Sequence, residues 1–135
     1  MFAHVEDNES VQGFEHLLRS FDFDDQLDEI ASADPPSYLR RCFAEGRSAP
    51  HLTFARLQQL AACAIVVDAV LHDRAYEGLE PELVADWRRH YLTAFAALRE
   101  PAVAALERGL EYQPPLAEPE AAQELRELAH RLAGD

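Results

Sequence analysis

Two acid–imidazole pairs, Asp68 with His72 and Asp86 with His90, are each spaced four residues apart. On a helix that spacing puts both side chains on one face, where they can form an ion pair, orient a general base or ligate zinc. Asp68 is the most demanding of the four. It interrupts an otherwise apolar stretch, and a buried carboxylate without a partner is costly. It must face a cleft or meet a cation, and His72 is nearest in the chain, so a structural ion pair is the expectation. A helical-bundle metal-dependent enzyme built on these four residues is the alternative.

A different chemistry, recognition, is offered by Phe21-Asp22-Phe23-Asp24-Asp25-Gln26-Leu27-Asp28-Glu29, five acids in nine positions. Aromatic anchors flanked by carboxylates suit a basic groove: Phe21 and Phe23 supply buried contact. Asp22, Asp24, Asp25, Asp28 and Glu29 supply steering and charge-assisted hydrogen bonds to Arg or Lys. Closely spaced carboxylates also imitate a phosphate backbone. The plainer alternative is a solvated face with both Phe residues in the core. Calcium does not fit, because an EF-hand loop begun at Asp22 would place Leu27 where Gly is needed and Ala33 where a bidentate Glu is needed.

The remaining motifs are weaker. His72-Asp73, downstream of His51, resembles the His…His-Asp pattern of HD-type metal-dependent phosphohydrolases, which implies a shared metal. Residues 52–74 read as one helix without Gly or Pro, however, and about 1.5 Å per residue separates His51 from His72 by about 31 Å. Glu127-x-x-His130 matches half of a di-iron carboxylate motif, and no second copy exists. Trp87-Arg88-Arg89-His90-Tyr91 interleaves bases with aromatics, but Trp87 and Tyr91 fall on an apolar stripe, leaving Arg88 and Arg89 to solvent. With Arg40 and Arg41 they are the doubled bases, able to receive the acidic segment. Cys42 and Cys63 lie in apolar helical stretches and read as small buried hydrophobes. No Gly-rich phosphate loop or nucleophile elbow is present. No catalytic residue, metal ligand or cofactor is assigned.

The elements that must position these residues are helical. Ile, Val and Thr number only 2, 7 and 2, poor material for sheets, and apolar residues recur at helical spacing almost throughout. A first helix is expected over Glu9–Ser20, with Asn8 or Ser10 as cap and Val11, Phe14, Leu17, Leu18 and Phe21 on one face. A short second helix carries Phe23, Leu27 and Ile30. Asp34-Pro35 then caps and starts a third, which Gly46 ends after Leu39, Cys42 and Phe43. A fourth, Leu52 to Arg74, is apolar on every side over Leu60–Val67 and must be surrounded by the others. A fifth follows over Pro81–Arg99, with Val84, Trp87, Tyr91, Ala94, Phe95 and Leu98 in one stripe. Pro101 forces a break before a sixth carrying Val103, Leu106 and Leu110. Beyond Gln113-Pro114-Pro115-Leu116, a last amphipathic helix spans about Pro119 to Ala133, with Glu127 and Arg131 ordered as an i,i+4 pair. The prediction is one all-α domain over residues 1–135, a bundle of six to seven helices around the helix at about 52–74. Its Pro-linked last helix would dock on its own chain or, in trans, make a homodimer.

Composition narrows the function class. The 135 residues carry a formal net charge of −13, with 25 acids against 12 bases, and every base is Arg. Residues 1–34 hold ten carboxylates (Glu6, Asp7, Glu9, Glu15, Asp22, Asp24, Asp25, Asp28, Glu29, Asp34) and one base, Arg19. That segment carries −9, leaving −4 for the other 101 residues. Binding to nucleic acid or anionic membranes needs a positive field, so a basic protein partner is favoured. No signal peptide is visible, and the longest apolar run, Leu60–Val67, is short of the ~20 residues of a membrane span. The expectation is a cytoplasmic protein. A Lys-free chain with 23 Ala suggests GC-rich coding, in a bacterium or phage. Together these features predict a small acidic inhibitor of the immunity, antitoxin, anti-activator or phage anti-defence type, covering a basic surface, including a nucleic-acid-binding one. A self-associating regulatory bundle or secretion chaperone shares the profile.

Overall fold

The computed structural model describes residues 14, 16–19, 21–76, 78–111 and 119–134. Among them are six α-helices and no strand: α1 Phe23–Ala31, α2 Pro35–Ser48, α3 Phe54–His72, α4 Pro81–Ala96, α5 Arg99–Glu111 and α6 Pro119–Gly134. The all-α bundle expected from periodicity is the observed fold.

Local chemistry sets the helix starts. The carboxylates of Asp22 and Asp34 accept from the amides of Asp25 and Ser37, and the Thr53 hydroxyl accepts from that of Arg56, each satisfying an orphan first-turn donor. Pro35 and Pro81 occupy first-turn positions, where a missing N–H costs nothing.

Burial then arranges the helices. Every residue from Leu60 to Val70 is buried, Asp68 included, and α3 packs against each of the other five helices. Among the described residues α3 is the one helix long and apolar enough to cross a membrane, and 72% of its most apolar stretch is buried inside the bundle. α5 and α6 pack closely on each other, whereas α4 leans on α3 and touches α2.

Three expectations change. Gly46 does not end its helix; α2 continues to Ser48 and Gly46 is buried inside it. Its role is close approach, because a Cβ there would lie 2.7 Å from both terminal carbons of Leu60 on α3. The break before α5 falls at Ala97–Leu98 rather than at Pro101, because proline is tolerated in a first turn and α5 restarts at Arg99. Arg88 does not face solvent freely: it is half-buried, and its guanidinium donates to the carbonyls of Val70 (2.5 Å) and Leu71 (3.4 Å). It thereby covers orphan carbonyls at the end of α3.

Of the helix expected over Glu9–Ser20, residues 9–13, 15 and 20 lie outside the described residues, as do the caps Asn8 and Ser10 and the linker Gln113–Leu116. Phe14 and residues 16–19 form a turn that inserts Phe14 and Leu17 into the core. Both sides of that turn are clamped. Glu124 on α6 accepts from the amides of His16 (3.3 Å) and Leu17 (2.7 Å). Gln58 on α3 donates to the carbonyls of Leu17 (3.1 Å) and Arg19 (2.9 Å).

Candidate functional site

α1 is amphipathic, and its two faces separate the acids from the core. Gln26, Leu27 and Ile30 are buried, while Asp22, Asp24, Asp25, Asp28 and Glu29 are exposed. Phe21 and Phe23 are both half-buried, and Phe23 packs against the core cluster. Two of the five acids have internal duties. Asp22 is the N-cap, and Glu29 accepts the Tyr38 hydroxyl at 2.7 Å. Tyr38 in turn accepts from Gln26 at 2.9 Å. Burial, reinforced by the bond to Glu29, raises the Tyr38 pKa and keeps the phenol a donor.

Asp24, Asp25 and Asp28 have no side-chain partner among the described residues. Asp24 and Asp25 sit in the first turn, where the helix macrodipole favours a carboxylate. Asp28 does not. It lies toward the C-terminal end, where the macrodipole is adverse, one turn from Asp24, and the last turn holds no base. Three of the four doubled arginines are engaged elsewhere. Arg41 lies over the Tyr38 ring at 5.5 Å, Arg88 caps α3, and Arg89 pairs with Asp86 at 3.2 Å.

The second constellation is buried. Asp68 is 0% exposed, and both its oxygens are occupied. His72 Nδ1 meets Oδ1 at 2.7 Å; Arg74 Nε and the Tyr76 hydroxyl meet Oδ2 at 2.8 and 2.5 Å. Asp73 makes this convergence possible. It closes α3 in the left-handed region at φ 52°, a conformation Asp tolerates better than most residues, and turns the chain so that Arg74 and Tyr76 come back over Asp68. The network reaches α6, since Arg131 donates to the Tyr76 hydroxyl at 3.2 Å and to Glu127 at 3.2 Å. Its guanidinium also lies 5.2 Å from the Phe14 ring centre. Burial, and the hydrogen bond to Asp68, raise the Tyr76 pKa, so Tyr76 acts as a donor.

This arrangement fits a structural ion pair and not a metal ligand, because a guanidinium stands where a cation would bind. Sequence reasoning found Asp68 and His72 by their spacing. It missed Arg74, Tyr76 and Arg131, which reach Asp68 only through the turn at Asp73 and the docking of α6. Asp86 and His90 do meet, at 3.3 Å, on the exposed face of α4. Glu127 is turned toward Arg131, and among the described residues no group of three or more His, Cys, Asp or Glu side chains could hold a metal. Cys42 and Cys63 are both free and buried, as expected.

No protein-family model, curated protein or solved structure matches the chain.

Proposed function

We propose that the protein is a small acidic binding protein that covers a basic surface of a partner protein, with α1 as its contact element. The observation that carries this reading is Asp28. It is solvent-facing, unpaired among the described residues, adverse to its helix dipole and one turn from Asp24. Among the described residues no base pairs with Asp28 to offset that repulsion, whereas an Arg- or Lys-bearing groove would convert it to attraction. The contact set is Asp24, Asp25 and Asp28, extended by Asp22 and Glu29, with Phe21 at the edge. Phe23, half-buried against the core, offers the same edge its remaining exposed surface. A partner that binds nucleic acid would be blocked where its phosphate contacts lie.

The test is charge reversal. The variant D24R/D25R/D28R changes solvent-facing positions at a macrodipole cost of about 0.3–1 kcal/mol for each first-turn Asp lost, so under native conditions its helical circular dichroism should stay close to the wild type's. Affinity capture from one extract at low and moderate salt should retain a basic protein on the wild type, more at low salt, and lose it on the variant. Equal retention by both chains refutes the reading.

A further inference from the structure

α1 and α2 are neighbours of opposite charge. α1 carries four acids and no base, whereas α2 carries Arg40, Arg41 and Arg47 against Glu45, and none of the other four helices is net positive. Glu45 is drawn toward α3, where it pairs with Arg56 at 3.5 Å. The three arginines of α2 are exposed. Arg40 and Arg47, two turns apart, share one face with the short side chain of Ala44 between them, and neither has a side-chain partner among the described residues.

The two charged stripes have a common border. Tyr38 on α2 donates to Glu29 on α1 at 2.7 Å, and Arg41, one turn further along α2, lies over the same ring at 5.5 Å. Acid therefore stands on one side of Tyr38 and base on the other, both open to solvent.

We propose that this seam is the interface of a homodimer. A two-fold axis running along the seam lays Asp24, Asp25 and Asp28 of each copy against Arg40, Arg41 and Arg47 of the other. A two-fold contact demands a surface that complements itself after rotation, and adjacent stripes of opposite sign meet that demand where a uniformly acidic face would not. Each carboxylate–guanidinium pair is geometrically specific, and symmetry makes every pair twice. The net charge of −13 on each copy opposes association. That repulsion is spread over the whole molecule and screened beyond about 8 Å at physiological salt, while pairs across the seam act at contact. Asp28, adverse to its own helix dipole, gains in the dimer the cation that its own chain does not give it. The same acids cannot serve two contacts at once, so the dimer and a complex with a basic partner exclude one another; that consequence rests on the partner reading, and the dimer does not.

The experiment uses the purified full chain. Light scattering across a dilution series at about 0.15 M salt should show the mass climbing from that of the 15.2 kDa chain toward twice that value; at about 1 M salt, where screening shortens to about 3 Å, it should fall back to the monomer. The variants D24R/D25R/D28R and R40E/R41E/R47E each set like charges against one another across the seam, so each alone should remain monomeric. Mixed in equal amounts they present a basic hairpin to an acidic one, and the mass of a one-to-one dimer should return, which a misfolded variant would not produce. A wild type that stays monomeric at about 0.15 M salt, single variants that dimerise as it does, or a mixture that fails to associate would overturn the proposal. Partner capture is read from extract and not from these masses, so either result can fail without the other.

Discussion

Replacing Asp68 by Asn keeps the shape of the buried side chain and removes its charge, which isolates what the carboxylate contributes. The best orientation of the new amide keeps its oxygen toward Arg74 and Tyr76, the two donors on Oδ2. Its NH2 group then stands where Oδ1 accepted from His72 Nδ1, setting donor against donor in place of the native pair, and the hydrogen bonds from Arg74 and Tyr76 lose their charge assistance. Breaking a buried ion pair costs about 3–5 kcal/mol. Arg74 is 36% exposed and regains some solvation, so the expected loss is at the low end, about 3 kcal/mol. With a urea slope of about 2 kcal/mol per molar, the unfolding midpoint should fall by about 1.5 M. A loss below about 1 kcal/mol would place Asp68 among ordinary surface pairs and refute the reasoning.

Two further measurements probe the packing and the clamp. Gly46→Ala would stabilise a solvent-facing helix by about 1 kcal/mol; here the Cβ meets Leu60 at an overpacking cost of about 1–3 kcal/mol, so the net effect should be a loss of up to about 2 kcal/mol, read from its urea midpoint. A gain in stability would remove the close-approach account of this glycine. His16 is hydrogen-bonded to Glu124 at 2.7 Å, and that bond raises its pKa above the ordinary 6.5. Because the folded value lies above the unfolded one, the stabilisation is complete below about pH 6.5 and is lost as pH rises through the raised value. Urea curves for wild type and His16→Asn should therefore diverge most at acidic pH and converge at alkaline pH; divergence that grows with rising pH contradicts the assignment.

Some of this was legible in the chain and some was not, for reasons that particular residues make plain. α3 could be placed because a helix apolar on every side has only one stable location, the centre. Asp68 and His72 could be paired because an i,i+4 spacing is local geometry. Gly46 was misread because glycine signals both a helix end and a close approach, and only the position of Leu60 distinguishes them. Arg88 was misread because a charged side chain next to an apolar stripe says nothing about orphan carbonyls on a neighbouring helix. On α1 the acids were visible as a cluster, but the partial packing of Phe23 against the core depends on how the helix docks.

The enclosure of α3 also has a consequence for how the chain is made. Synthesis runs from α1 to α6, so the apolar central helix leaves the ribosome before α4, α5 and α6 exist to cover it. During that interval a helix of membrane-spanning length has, among the described residues, only the turn carrying Phe14 and Leu17, α1 and α2 as partial shelter. Such a nascent segment is sticky toward other chains and attractive to bilayers. Asp68, a carboxylate inside that segment, makes bilayer entry less favourable while the chain waits for its covering helices. The residue that later ties α3 to the turn beyond it therefore acts earlier, as a polar mark that helps keep an unfinished core in water.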